Sequence, residues 1–307
     1  LAGALAGGNW RLAFYITGVP GLLLAALVLF ARNKLRNEAD PIEEETGATR
    51  TFFTKARAYL RIPTLRVILG MHALGFFALT SLTAFLTIYL GAAYGPESSY
   101  GAASLSQGLV ALLPGVLLLL GGLLGGLSGG FWANRASRKR SGARVLVSGL
   151  GFLASMPFVL VTLLAPYILR AIPAYTALVP KSQVSIGVAI FAIFGFGAAF
   201  FLNIYNGPSS AALQDVLPPT DRAAGGGLEL TLAHLFGDIW AASAVGVLSV
   251  ALGTALGGEQ IGLALLLTCP LALTLSGIVG IWGSRFYAAD VAALGTPEEA
   301  VTGPRVE

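Results

Sequence analysis

The chain has 307 residues, of which 55% are hydrophobic and only 11% are charged, and its mean hydropathy is +0.77. So few charges could not cover the surface of a soluble domain of this length, so the composition excludes a soluble globular protein. A lone cysteine, Cys269, excludes a disulfide framework and a cysteine-based metal site. The net charge of +4 requires no nucleic-acid partner, because basic loops beside membrane spans account for it.

Seven apolar segments are each long enough to cross about 30 Å of hydrocarbon as a helix. Their apolar residues are continuous and do not alternate with polar ones, which favours helices over a β-barrel. We therefore predict an all-α, polytopic membrane protein with about seven transmembrane helices. The predicted spans are Leu12–Ala31, Val67–Ala93, Leu109–Ala133, Val145–Ile168, Val184–Ile204, Leu228–Leu252 and Ile261–Trp282.

The chain begins with a short apolar run, residues 1–8, that could not cross a bilayer alone. We interpret residues 1–31 as the end of an earlier helix, in a truncated chain, followed by one complete helix. The polar segment 32–66 is predicted to be an interdomain linker with an amphipathic helix, either bound at the anionic membrane surface or solvated. Residues 67–284 are then expected to form a six-helix bundle, and residues 285–307 a tail.

Basic residues fix the predicted orientation, since cytoplasmic loops are enriched in Lys and Arg whereas acidic residues contribute little. Of the 19 Lys and Arg residues, 16 lie on one side of the predicted spans, and only Arg11, Arg170 and Lys181 lie on the other. We therefore predict a multi-pass protein of the cell (inner) membrane with its linker and C-terminus in the cytoplasm.

The glycines of the third span, eight between Gly108 and Gly130, recur at spacings that allow helices to approach closely. Polar residues near the middle of the second and fifth spans could line a transport pathway; these are Thr80, Thr83, Asn203 and Asn206. His72, near the start of the second span, is expected at the membrane interface.

The sixth span carries the strongest functional signal, because ionisable groups deep in a bilayer are expensive and mark translocation or proton pathways. Asp238 follows Gly227 by about eleven residues, or about 16 Å of helix, which places it near the bilayer midplane. His234 shares a helix face with Asp238. We predict that Asp238 binds a proton and that His234 assists its exchange; the alternative is a structural hydrogen-bonded pair. Glu229 is predicted to cap the start of this helix.

Three motifs resemble the major facilitator superfamily, whose members have twelve helices. GGNWRLAFYITGVPG (residues 7–21) is similar to the entry to helix 6, and GGFWANRASRKR (129–140) resembles the loop G-x-x-x-D-R-x-x-R-R between helices 8 and 9, with Asn134 in place of Asp. NGPSSAALQDVLPPTDR (206–222) followed by HLFGD (234–238) is similar to the spinster-like subgroup of lipid transporters. The resemblance implies that the spans are helices 6 to 12 and that the N-terminal half is missing.

The basic loop after the third span could also serve as a gate. Guanidinium groups beside one helix end can pair with an acid at a neighbouring helix end. We predict a contact of Asp215 with Arg135 or Arg138, and Asn134 completes this candidate cytoplasmic gate. The resemblance implies that the contact holds the gate closed in the outward-open state. The alternative is that the basic residues only set the topology.

The resemblance implies a secondary active transporter that works by alternating access. The leading hypothesis is proton-coupled transport of an amphipathic, lipid-like solute, with membrane lipids, protons and that solute as partners. The alternatives are a proton-coupled exporter of drugs or small metabolites, and a passive lipid scramblase or structural membrane subunit. The loops carry no nucleophile–base constellation, so we expect no enzyme activity, cofactor or metal.

Overall fold

A computed structural model describes residues 10–30, 48–256 and 260–294, and every regular element within these ranges is a helix. The predicted chain start and most of the tail lie outside the described residues. The helices are α1 (Trp10–Phe30), α2 (Ala48–Tyr59), α3 (Pro63–Tyr94), α4 (Gln107–Ser137), α5 (Ala143–Ala171), α6 (Pro180–Leu202), α7 (Asn206–Asp215), α8 (Arg222–Phe236), α9 (Asp238–Leu256), α10 (Ile261–Gly283) and α11 (Tyr287–Ala292). Single helical turns lie in three connections, at Gly101–Ala103, Pro173–Thr176 and Pro219–Asp221.

Among the described residues, six helical segments are long and apolar enough to cross a membrane. They are formed by α3, α4, α5, α6 with α7, α8 with α9, and α10. These segments coincide with the second to seventh predicted spans and confirm an all-α, polytopic membrane protein. Helix α1 coincides with the first predicted span and contains a shorter apolar stretch, Phe14–Leu27.

Two of the predicted spans are broken within the bundle. A turn at residues 203–205, at the end of the fifth predicted span, separates α6 from α7. A turn at Gly237, inside the sixth predicted span, separates α8 from α9. Neither turn lies at a proline, and α4 and α5 continue through Pro114 and Pro157. Gly237 is required where it stands, because a Cβ there would overlap the carbonyl oxygen of Ala73 on α3. The sixth span therefore bends where the backbone of α3 comes closest.

Helices α10 and α6 each make extensive contacts with two neighbouring helices of the bundle. Helix α10 packs against α5 and α3, while α6 packs against α5 and α4, and both α8 and α9 lie on α3. The predicted close approach of glycines occurs between α4 and α6, where a Cβ at Gly125 would overlap the carbonyl oxygen of Phe200. Large side chains such as Met71, Phe152 and Leu265 are almost completely buried between these helices.

A second apolar cluster closes one end of the bundle, which we call the basic end because the loop between α4 and α5 carries several Arg and Lys residues. Tyr59 at the end of α2 is buried in this cluster with Leu65 and Leu217. Nearby, Lys55 Nζ lies 3.4 Å from Asp221 Oδ1. The described end of α2 therefore packs on the bundle. The side chains of residues 48–53, on which the predicted amphipathic face partly depends, lie outside the described residues.

Candidate functional site

A polar cavity of about 390 Å³ lies among α3, α7, α8 and the start of α9. The two helix breaks bring polar groups to it, since the residues after each break start a new helix at the cavity wall. Its polar lining residues are His72, Thr80, Tyr205, Asn206, Ser209, Ser210, Gln214, Arg222, Glu229, His234 and Asp238.

The structure brings the predicted pair, His234 and Asp238, into direct contact at this cavity. His234 Nδ1 lies 2.5 Å from Asp238 Oδ2, across the break at Gly237. The hydroxyl of Thr80 on α3 donates to Asp238 Oδ1 at 2.8 Å. Asp238 is the first residue of α9, so the positive end of that helix stabilises negative charge on its carboxylate. Three elements therefore hold one carboxylate in a fixed orientation at the cavity.

Glu229 does not cap its helix, contrary to our prediction. Helix α8 begins at Arg222, so Glu229 lies about two turns inside it and has no free backbone N–H group to accept from. Its Oε1 instead lies 2.8 Å from Nδ1 of His72 on α3. His72 was expected at the membrane interface, but it is buried, as is Glu229, with side-chain exposures of 7% and 4%. The cavity thus contains a second histidine–carboxylate pair.

Aromatic rings hold the two histidines in place. Phe76 stacks on His72 with ring centroids 5.2 Å apart and on His234 with centroids 4.8 Å apart. Tyr205 meets the edge of His72 at 5.0 Å and is itself stacked on Phe152 at 4.8 Å. Packing against these rings therefore fixes the orientation of both imidazoles at the cavity.

The four residues predicted to line a pathway lie in different places. Thr80 and Asn206 line the polar cavity. Thr83, one helical turn beyond Thr80, lines a separate apolar cavity. Asn203 lines neither of these two cavities; its side-chain amide donates to the carbonyl of Ala199 and lies against α4. Its Oδ1 accepts from the side-chain amide of Asn206 at 3.2 Å, so its place in the pathway stays a prediction.

The apolar cavity has a volume of about 210 Å³ and lies among α3, α4, α5 and α6. Leucine, valine and alanine side chains provide most of its wall, with Thr83, Thr87 and Thr162 as its polar members. Leu79 lines both this cavity and the polar one. The polar and the apolar cavity thus share one lining residue.

At the basic end, Asp215 is bound by residues other than the predicted ones. Its Oδ2 accepts from Arg144 on α5 and from the hydroxyl of Tyr287 on α11. Burial, together with the hydrogen bond to Asp215, raises the pKa of Tyr287 to about 12, so the phenol stays protonated as a donor. The predicted gate residues Asn134, Arg135 and Arg138 shortly precede Arg144 in the sequence. Their side chains are exposed. The acid of the predicted gate is therefore engaged, but by Arg144.

Sequence reasoning thus missed four contributors to the site: His72, Tyr205, Arg144 and Tyr287. The sequence held a signal for His72 alone. A histidine within an apolar span is an ionisable group in the membrane and is therefore a functional candidate, as Asp238 is. Within residues 10–30, 48–256 and 260–294, no three His, Cys, Asp or Glu side chains are grouped so that they could hold a metal ion.

A family model described as the Major Facilitator Superfamily matches residues 1–241. Two crystal structures of a bacterial homologue to the human lysosomal transporter Spinster, both inward-facing, have a similar fold. The occupied form is 17% identical, with a TM-score of 0.53, over 92% of this chain and 58% of that chain. The unoccupied form is 19% identical, with a TM-score of 0.55, over 92% of this chain and 59% of that chain.

This chain therefore spans less than two thirds of the length of those homologues, and at these identities the likeness shows a shared fold. None of the curated protein sequences is significantly similar to it. The superfamily model, however, covers well over half of the 307 residues, and the helical architecture agrees with it. The chain belongs to the Major Facilitator Superfamily.

Proposed function

We propose that this chain is the C-terminal portion, helices 6 to 12, of a secondary transporter that works by alternating access and couples an amphipathic solute to protons. The observation that carries the proposal is the position of Asp238. Its carboxylate faces a polar cavity inside a membrane bundle, with His234 and Thr80 as hydrogen-bonding partners. An ionisable pair so placed is a functional candidate, because a purely structural contact would not need charge there.

Proton coupling follows from the chemistry of the pair. With the cavity open to water, an ionised Asp238 is stabilised by the Thr80 hydroxyl, by His234 and by the positive end of α9. When the cavity closes, removal of water disfavours any net charge, so a bound proton neutralises the carboxylate. Alternating hydration would therefore load and release one proton at Asp238. His234, whose side chain is half exposed, is placed to pass that proton to the cavity.

The two adjoining cavities support an amphipathic solute. A polar group would find imidazole, carboxylate, hydroxyl and guanidinium partners in the larger cavity, whereas an alkyl chain would be accepted by the apolar one across Leu79. A small polar metabolite would use the first cavity alone. This arrangement favours a lipid-like solute over the alternative of a drug or metabolite exporter. A scramblase or structural subunit would need no protonatable pair.

The test uses the full-length protein in proteoliposomes, with a lysophosphatidylcholine carrying a fluorescent acyl chain as the probe. Asp238→Asn keeps the size of the side chain but cannot exchange a proton, so gradient-driven accumulation of the probe should fall well below that of the wild type while exchange at equal concentrations persists. Glu97→Gln, on an exposed loop, is the matched control and should behave like wild type.

Three results would contradict the proposal. Wild-type accumulation by Asp238→Asn would return the pair to a structural role. Equal movement of the probe with and without a pH gradient in the wild type would favour a scramblase. Gradient-driven movement of ethidium, but not of the lysolipid, would favour an exporter of drugs.

The remaining elements of the proposal concern orientation and gating. We propose that the basic end faces the cytoplasm of a cell whose inner membrane holds the protein, because positive residues accumulate on the cytoplasmic side. We also propose that Asn134, Arg135 and Arg138 take part in the gate together with Arg144, which binds Asp215 in this structure.

A further inference from the structure

We propose that His72 and Glu229 form a second proton-binding site, distinct from His234–Asp238, so that the transporter binds two protons in each cycle. This inference rests on the proposed function, because it assumes that protons drive transport. It differs in its residues, its burial and its expected signature.

The net charge of the His72–Glu229 pair depends on one proton. With His72 neutral and Glu229 ionised the pair carries one negative charge, and one added proton makes it neutral on either partner. Both side chains are more than nine-tenths buried, with Nδ1 and Oε1 2.8 Å apart. A buried group with net charge is costly unless it is compensated, and one bound proton would remove the net charge of this pair. The pair therefore has one proton to gain or lose.

One nitrogen of the His72 imidazole has no hydrogen-bond partner among the described residues. This nitrogen, Nε2, is buried. Buried polar atoms are normally paired, so an unpaired imidazole nitrogen indicates a partner that comes and goes. His72 also lines the polar cavity, from which water or a polar group of the solute could reach Nε2 after a small movement. This atom is the natural entry point for the proton.

The ring of Phe76 separates the His72–Glu229 pair from the His234–Asp238 pair. Phe76 lies between the imidazoles of His72 and His234 and stacks on both. The ring carries no exchangeable proton and therefore blocks a direct hydrogen bond between the histidines. The pairs share the cavity but not a hydrogen bond through Phe76, so each can hold its own proton.

The charged and titratable groups that face His72 and Glu229 come from two helices and one turn. They are Arg222 and His234 on α8, Asp238 on α9 and Tyr205 in the turn before α7, all on the same cavity wall as His72 on α3. Arg222, whose Nε donates to the Gln214 carbonyl at 3.0 Å, supplies fixed positive charge. With no proton bound, two carboxylates oppose this one guanidinium. Arg222 is exposed, so water screens its charge and it does not replace a proton at either pair. Each pair keeps its negative charge until it binds its own proton, which is the reason for expecting both sites to be used.

The primary test observes the proton directly. The described residues contain two histidines, His72 and His234. Full-length protein labelled with ¹⁵N-histidine, in nanodiscs, is titrated between about pH 4 and 9, and carboxylic-acid infrared bands are recorded in parallel. The Asp238→Asn background removes the first pair. Proton uptake should remain, seen as a ¹⁵N change of the signal that His72→Gln deletes or as a carboxyl band that Glu229→Gln deletes. Absence of both changes would overturn the inference.

A second test counts protons during transport of the fluorescent lysophosphatidylcholine with the membrane potential held at zero. Each coupled proton contributes about tenfold accumulation per unit of pH gradient, so two protons give about 100-fold. The double variant His72→Gln/Glu229→Gln retains a hydrogen-bonded pair of amides, which protects the fold, and should reach only about tenfold. Equal accumulation by wild type and the double variant would overturn the inference.

These results separate the inference from the proposed function. If the wild type shows no gradient-driven transport while the His72–Glu229 pair still takes up a proton, the proposed function fails and the site stands. If Asp238→Asn abolishes coupling while the pair takes up no proton, the proposed function stands and this inference fails.

Discussion

Replacing Gly237 with alanine should damage the site from outside it. The new Cβ would overlap the carbonyl oxygen of Ala73 and would lie 2.8 Å from that of Ala233. Backbone atoms cannot turn aside as a side chain can, so α8 and α9 would have to move about 1 Å from α3 to reach ordinary contact distance. Overpacking of this kind costs about 1–3 kcal/mol.

That movement has a calculable effect on Asp238. The Thr80–Asp238 hydrogen bond of 2.8 Å joins the same two surfaces, α3 and the start of α9. Lengthening it by about 1 Å exceeds hydrogen-bonding distance and removes about 1.5–3 kcal/mol, the range for hydrogen bonds to charged groups. We therefore expect Gly237→Ala to lower the melting temperature of the purified full-length protein and to impair gradient-driven transport together.

The matched control is Gly246→Ala, nine residues further along α9, where a Cβ would meet nothing within 4 Å. Alanine there should be neutral or stabilise the helix by about 0.5–1 kcal/mol. The comparison therefore separates the general effect of alanine from the clash with α3. Equal melting temperatures and equal transport activities of Gly237→Ala and Gly246→Ala would contradict the expected clash with α3.

Other predictions concern the ends of the bundle. Arg144→Asp should reduce transport, and adding Asp215→Arg should restore part of it; no recovery in the double variant of the full-length protein would argue against a paired contact. The raised pKa of Tyr287 means that its own contribution to stability should be constant with pH below about 10, the unfolded value, and be lost between about 10 and 12 as the unfolded phenol ionises first; Tyr287→Phe should show a smaller fall than the wild type in chemical denaturation, and an equal fall would contradict this. Cysteines at the exposed positions Ser99 and Ser141 should report topology, since an impermeant thiol reagent added outside intact cells should label the first only, and the reverse pattern would invert the orientation.

The spans could be predicted from the sequence because hydropathy reports the solvent directly, and here the solvent is lipid. The contact between His234 and Asp238 was equally accessible. Their spacing of four residues places both on one face of a helix, and the turn at Gly237 preserves that proximity. Local periodicity is sufficient for such features, since they need no knowledge of how helices pack.

The second pair could not be predicted in the same way. His72 and Glu229 are 157 residues apart, and only the packing of α8 on α3 brings them together. The capping prediction for Glu229 was wrong because hydropathy begins the helix at Leu228, whereas the backbone begins it at Arg222. Gly-rich residues between these points are weakly apolar, but tertiary contacts keep them helical.

The partner of Asp215 shows a different limit. Several basic residues compete within a short stretch, and charge alone does not choose among them. The choice is made by the left-handed turn at Gly142, where φ is +71°, because it starts α5 immediately before Arg144. Arg144 then lies in the first turn of a helix that packs against α7.

The two helix breaks have a mechanical consequence. They bound residues 206–236, a pair of helices (the hairpin) with a turn at each end, at residues 203–205 and at Gly237. Arg222 binds the Gln214 carbonyl, and Leu217 packs on Gly225, so the hairpin is internally rigid.

A lever of this kind amplifies small rotations. Helix α8 is about 22 Å long, so a rotation of about 10° at Gly237 would displace its far end by about 4 Å. That displacement exceeds the reach of the hydrogen bonds that hold Asp215 at the tip of the hairpin. If the gate proposed here opens in this way, the swing of a single hairpin would be enough to open one end of the pathway, with α5 and α10 in place.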